Sequence, residues 1–264
     1  MKIGAYQFAV TGDLSRNVEA IRRGVSRAAA EGVALLAFPE CALTGYPPRD
    51  MARASAIDWE RLARAQDELQ TLADEKGLCL IAGTITKDEH GVHNSAALFA
   101  PGGRRMLYHK RALWGYDAQN FCAGDEDGIF DVAGLRVGVR ICYEVRFPEY
   151  FRELYRARTD LNVILFYDVS DRDDAQRYDL IRGHVRTRAV ENVCPVLSVC
   201  STAPFQTAPT ALYDRSGRPL AELERGREGL LVCDLPDGEL DFGEEGRRRI
   251  SAALLSLQMP DAPV

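Results

Sequence analysis

A thiol, a carboxylate and an ammonium stand at the ends of three apolar segments. Cys142 closes the run Gly138-Val139-Arg140-Ile141, and Pro148, a residue suited to open a helix, follows six positions later. A residue at such a strand-to-helix turn is pushed clear of the sheet, beside backbone N–H groups that hold negative charge. A lone thiol is also commonly buried as a structural residue, and this segment by itself leaves both readings open. Leu35-Leu36-Ala37-Phe38-Pro39-Glu40 brings a carboxylate to a strand end, where open α/β sheets place their sites. Met106-Leu107-Tyr108-His109-Lys110 brings an ammonium in the same manner. A thiol nucleophile, a carboxylate proton carrier and a cation for an oxyanion are the requirements of acyl transfer.

The elements that must position them follow from periodicity. Lys2 to Ala9 reads as a buried strand; Val18, Ile21, Val25, Ala28 and Ala29 recur at helical spacing up to Gly32. Val33 to Phe38, Leu78 to Ile85 and Asn94 to Phe99 read as strands, and Trp59 to Ala73 as a helix. Helices are expected over Phe147 to Ala157 and Ala175 to Asn192, with a strand over Asn162 to Tyr167 between them. Pro195 to Ser201, Ala208 to Tyr213, Pro219 to Leu223 and Gly229 to Cys233 read as strands, with Asp214-Arg215-Ser216-Gly217 a hairpin turn. Alternating strands and helices followed by a strand-rich end imply a layered α/β domain.

Composition narrows the class. A chain of 264 residues without a linker-like stretch is expected to form one domain, residues 1–264. The net charge is −6 and the basic residues are scattered, so no nucleic-acid partner is expected; Arg247-Arg248-Arg249 reads as a solvated or subunit-contact segment. No apolar run is long enough for a membrane span, and the N-terminus enters a strand without a basic, apolar leader, so a cytoplasmic protein is expected. Seven dispersed cysteines argue for a reducing compartment, and the four histidines show no metal-ligand spacing with them. Neither a metal nor an organic cofactor is expected.

The three segments occur in a family-specific order. Phe38-Pro39-Glu40, Tyr108-x-Lys110-x-x-Leu113, Cys142-Tyr143-Glu144-x-Arg146-Phe147-Pro148-Glu149 and Arg188-Ala189-Val190-Glu191-Asn192 resemble the motifs of the nitrilase, or carbon–nitrogen hydrolase, superfamily. The resemblance runs from Lys2 to about Asp234. It implies a four-layer αββα sandwich and a Glu-Lys-Cys triad: Cys142 attacks the carbonyl, Glu40 carries the proton, and Lys110 with the Tyr143 backbone N–H holds the oxyanion. It further implies a homodimer or larger homo-oligomer, with residues 235–264 as a C-terminal arm contacting a partner subunit. Of the neighbours, His109 points away from Lys110 across the strand and reads as a packing residue. Arg146 with Glu149, and Arg188 with Glu191, read as supporting charged pairs.

Two departures from the family pattern concern the site. A second glutamate of relatives falls here on Asp117, four residues before Phe121, shortened by one methylene. The small polar pair that usually follows the strand after the nucleophile is replaced by Tyr167-Asp168. Asp168 is expected to line the pocket and to attract a cationic or amine-bearing substrate; a solvated acidic loop is the alternative. Tyr46 matches the Gly-Tyr after the catalytic glutamate and is expected to form a pocket wall. Tyr143 stands where nitrile-cleaving relatives carry tryptophan, so a small amide or carbamoyl compound is the expected substrate. An acyltransferase of the same superfamily and a noncatalytic binding protein are the competing readings. Lys110→Ala is expected to abolish turnover and leave the fold intact.

Overall fold

Alternation along single strands explains why this chain builds four layers. In β1 (Lys2–Gln7), Ile3 and Ala5 face one apolar layer while Tyr6 faces another. The same split recurs at Leu35 and Ala37 against Leu36 and Phe38, and at Val163 and Leu165 against Ile164 and Phe166. Strands apolar on both faces need cover on both.

A computed structural model describes residues 1–103 and 105–255. After β1 come α1 (Leu14–Ala30), β2 (Leu35–Ala37), α2 (Trp59–Lys76), β3 (Cys79–Lys87), β4 (Val92–Phe99) and β5 (Met106–His109). Next are α3 (Tyr116–Asn120), β6 (Ile129–Val132), β7 (Leu135–Ile141), α4 (Pro148–Arg156), β8 (Leu161–Phe166), β9 (Val169–Ser170) and α5 (Ala175–Asn192). The remainder is β10 (Val196–Cys200), β11 (Phe205–Gln206), β12 (Ala211–Tyr213), β13 (Pro219–Glu222), β14 (Gly229–Asp234) and α6 (Phe242–Leu254).

One sheet has the order β14-β1-β2-β3-β4-β5 and the other β13-β12-β10-β8-β7-β6. Their inner faces meet through Ile3, Leu35, Ile81, Val139, Val163 and Leu197. The first sheet is covered by α1 and α2 through Ile21, Val25, Leu62 and Leu69; the second by α4 and α5 through Phe151, Leu154, Ile181 and Val185. This is the expected four-layer αββα sandwich. Strands β1, β2 and β3 run parallel, as do β7, β8 and β10, so several carboxyl ends open on one side.

Helix α3, strand β6, the short β9–β11 pair and α6 carry too few periodic positions to be read from the sequence. Arg247-Arg248-Arg249 lies within α6, which packs on α5 and receives the Tyr155 hydroxyl on the Arg248 carbonyl at 2.8 Å. The end of the expected C-terminal arm, 256–264, lies outside the described residues. No helix among the described residues is long and apolar enough to cross a membrane.

Candidate active site

Glu40 follows β2 and is buried, with three N–H donors converging on its carboxylate. Asn94 Nδ2 and Lys110 Nζ reach Oε1 at 2.8 and 2.9 Å, and the Tyr167 backbone N–H reaches Oε2 at 2.8 Å. Asn94, in the middle of β4, also accepts the Lys110 backbone N–H on its carbonyl at 2.8 Å. One residue therefore registers the carboxylate against the ammonium. Sequence reasoning missed it; its only signal is a polar Asn94-Ser95 pair inside an apolar strand.

Lys110 is buried between two carboxylates. Besides Glu40, its Nζ reaches Asp117 Oδ2 at 2.7 Å, and Tyr46 donates to Asp117 Oδ1 at 2.7 Å. The shortened side chain at Asp117 thus keeps contact with Lys110 because α3 brings it in. The Tyr46 ring stacks on Tyr167 with centroids 5.1 Å apart, and the Tyr46 backbone N–H donates to Asp50 Oδ2 at 2.8 Å.

Cys142 stands directly after β7 with φ +47°, in the left-handed region, and starts a helical turn through Arg146. For a residue with a Cβ this backbone costs about 1–2 kcal/mol, so the surroundings must hold it. Glu144 does so from within the turn: Oε2 accepts the Ile141 N–H at 2.6 Å, and Oε1 accepts the Tyr108 hydroxyl at 2.7 Å and the Arg111 N–H at 2.8 Å. From outside, Arg188 donates from Nε to the Val145 carbonyl at 2.9 Å while pairing with Glu191, as expected of a supporting pair. The thiol lies within the electrostatic influence of the Glu40 carboxylate and the Lys110 ammonium.

With that geometry in place, comparison with known proteins is direct. The carbon-nitrogen hydrolase family model matches residues 2–241. The chain belongs to the carbon–nitrogen hydrolase family. It is 29% identical over 160 residues to an omega-amidase NIT2 of Xenopus tropicalis, a match spanning 56% of each protein. It is 29% identical over 225 residues to a 2-oxoglutaramate amidase of Bacillus subtilis, covering 82% of each. An amidase of Nesterenkonia AN1, from the nitrilase superfamily, superposes with a TM-score of 0.79 at 24% identity over 97% of both chains. Another structure of that amidase shows covalent addition of the acetamide moiety of fluoroacetamide at the active site cysteine.

In this carbon–nitrogen hydrolase the charges sort themselves by burial. Desolvation pushes the Cys142 thiol well above its ordinary value and the Glu40 carboxylate adds to this; Lys110 pulls the other way and is outweighed. Desolvation acts to discharge Lys110, yet Glu40, Cys142 and Asp117 together hold its ammonium well above the ordinary range. Burial, then the Glu40 and Asp117 charges, keep the Tyr46 phenol protonated.

The site opens into a cavity of about 200 Å³. Tyr46, Tyr143, Tyr167 and Asp168 line it. The role expected of Asp168 does not follow from its surroundings: Arg177 grips both its oxygens at 2.7 and 2.9 Å, and Thr207 donates to it as well. A carboxylate so neutralised presents little negative charge to a substrate. Arg146, expected to pair with Glu149, instead lies over the Tyr143 ring, 5.8 Å from its centroid, and faces the cavity. Among the described residues it forms no ion pair. Trp114, largely exposed, borders the same opening. Among the charged residues lining the cavity, Lys110 is opposed by Glu40 and Asp117 and Arg177 by Asp168, which leaves Arg146; sequence reasoning missed this because Arg177 and Asp168 lie on separate elements.

Proposed function

We propose that this protein hydrolyses the amide of a small, carboxylate-bearing compound through an acyl-thioester on Cys142. The observation that carries the reading is the buried convergence of Cys142, Glu40 and Lys110, with Asp117 as a second partner of the ammonium. Glu40 takes the thiol proton as Sγ bonds to the carbonyl carbon. Lys110 and the Tyr143 backbone N–H hold the resulting oxyanion. The C–N bond then breaks, with Glu40 returning the proton to the leaving nitrogen. Water attacks the thioester, Glu40 again accepting and returning a proton, so acid product and free thiol are released.

The cavity supports the substrate class. Its volume suits a compound of few heavy atoms, and Arg146 supplies a guanidinium that forms no ion pair among the described residues. Two of the relatives are named for an omega-amidase and a 2-oxoglutaramate amidase activity, in keeping with an acidic amide. The deciding experiment is ammonia release from paired neutral, anionic and cationic amides by wild type, Cys142→Ala and Arg146→Ala. We expect wild type to prefer anionic amides, Cys142→Ala to be inactive, and Arg146→Ala to lose about 10- to 100-fold in kcat/KM on anionic amides only. Preference for a cationic amide sinks the substrate assignment, and turnover by Cys142→Ala sinks the mechanism.

We also place the protein in the cytoplasm as a homodimer. Seven free cysteines support the first. Exposed Phe242, Ile250 and Leu254 along α6 support the second.

A further inference from the structure

Asp168 and Arg177 meet on the cavity wall, and the two are held there independently. Asp168 lies just beyond β8 and is buried; its carbonyl accepts the Thr207 N–H at 2.8 Å and the Cys200 thiol at 3.4 Å. The Thr207 hydroxyl donates to its carboxylate. These bonds come from β10 and the segment after β11, so they anchor Asp168 without Arg177. Arg177 stands in the first turn of α5, its backbone N–H on the Asp174 cap at 2.9 Å. A cation in that turn opposes the helix dipole, so helix stability gives no reason for it.

The guanidinium crosses instead to Asp168, Nε to Oδ1 at 2.7 Å and Nη2 to Oδ2 at 2.9 Å. The Arg177 side chain is 43% exposed and that of Asp168 6%, so the arginine is the outer partner. Both charges reach the nucleophile. Behind burial and Glu40, Asp168 also pushes the Cys142 thiol up; behind Asp168, Cys142 also raises the Arg177 guanidinium. Three acids and three bases line the cavity, Glu40, Asp117 and Asp168 against Lys110, Arg146 and Arg177. Without Arg177 the acids outnumber the bases, and without the Asp168 charge the order reverses. The sign of the cavity therefore turns on this pair.

We propose that Arg177 is a specificity-determining residue: by covering Asp168 it bars amine-bearing amides and leaves Arg146 to select carboxylate-bearing ones. The inference rests on the amide hydrolysis proposed above and adds what the site refuses. An uncovered Asp168 would hold a substrate ammonium beside Cys142. Paired, it meets that ammonium with an occupied carboxylate and a guanidinium of like charge. This is selection by a repulsive element, separate from the attraction that Arg146 supplies.

Two variants move the charge in opposite directions: Arg177→Met uncovers Asp168, and Asp168→Asn frees Arg177. The probes are 2-sulfonatoethyl and 2-aminoethyl methanethiosulfonate, an anionic and a cationic thiol reagent of similar size, used at pH 7. Their rates at Cys142 are read by mass spectrometry of its peptide, which sets aside the partly exposed Cys122 and Cys233. The anion-to-cation rate ratio cancels any change in thiol reactivity common to both. We expect that ratio to fall about 10- to 100-fold in Arg177→Met, to rise in Asp168→Asn, and to return to near the wild-type ratio in the double variant. Ratios of kcat/KM for anionic and cationic amides are expected to move in the same order. An unmoved ratio in Arg177→Met with a wild-type Tm overturns the inference. If Arg177→Met does not fold, Asp168→Asn decides, and a ratio that fails to rise there overturns it. Shifted labelling ratios without turnover of any amide support this role of Arg177 and sink the hydrolase reading. Turnover of anionic amides with unmoved ratios sinks this inference alone.

Discussion

The Glu144 carboxylate accepts the backbone N–H of Arg111 at 2.8 Å, fastening the turn that carries Cys142 to the chain just beyond Lys110. The same side chain accepts from Ile141 and from the Tyr108 hydroxyl, so every contact it makes here is that of an acceptor. Nucleophile and ammonium arrive on different sheets, and this one carboxylate sets the distance between them.

Glu144→Gln puts an NH2 group against hydrogens that the carboxylate now accepts. Loss of these buried bonds is expected to cost about 1–3 kcal/mol of stability. Displacement of Cys142 from Lys110 is expected to lower kcat about 100-fold. Thermal melts and steady-state kinetics on one preparation check both. A variant with unchanged kcat shows that the tie does not position the site.

Gly83 in β3 passes directly beneath Glu40. A Cβ there would lie 2.3 Å from the Cys41 nitrogen and the Pro39 oxygen, and 2.5 Å from Glu40 Cα. Those are backbone atoms with nowhere to go, so Gly83→Ala is expected to shift Glu40, with about a 100-fold fall in kcat/KM and about 1–3 kcal/mol lost. Gly183 in α5 has nothing within 4 Å of its added Cβ. Gly183→Ala is expected to stabilise by up to about 1 kcal/mol with activity unchanged. Equal behaviour of the two variants contradicts the steric account.

Lys110→Ala removes the ammonium from between Glu40 and Asp117 and leaves two buried carboxylates unopposed. The sequence-based expectation of an intact fold is therefore revised: turnover is lost and stability falls by about 3–5 kcal/mol. Adding Asp117→Asn to Lys110→Ala removes one of those charges, and is expected to recover stability without activity. Urea unfolding of the single and double variants separates the two effects, and equal stability of Lys110→Ala and wild type refutes the prediction.

The pH dependence follows from the raised thiol and ammonium. Each is held above its ordinary value, 9.0 for the thiol and 10.5 for the lysine, so each binds its proton more tightly folded than unfolded. Their contribution to stability is complete below pH 9 and is lost as pH rises, first through the thiol and then through the lysine. Urea unfolding across pH 7 to 10.5 is expected to show a flat region, then a fall that shrinks in Cys142→Ala. In the folded enzyme, alkylation of Cys142 is expected to show no midpoint at the ordinary thiol value. A midpoint at or below pH 8 would mean a thiolate nucleophile at rest.

Much of the fold was legible because its strands are short, apolar and bounded by turns. The long α5 was read with its bounds intact, Ala175 to Asn192. Short α3 was not, since five residues hold little more than one turn; yet α3 is what carries Asp117 to Lys110. Glu40, Lys110 and Cys142 were recognised from local motifs, each written in a handful of neighbouring residues.

Sequence alone determined the residue types of the triad, their places at strand ends, and the run of strands and helices that makes a layered α/β domain; the second sheet was implied by family resemblance and not by periodicity. Those properties depend on neighbours along the chain. Tertiary structure decided that Asn94 holds Glu40, that Arg177 cancels Asp168, and that Arg146 faces the cavity rather than Glu149. Charge pairing and burial depend on distances between segments far apart in the chain, and these exist only once the sheets have packed.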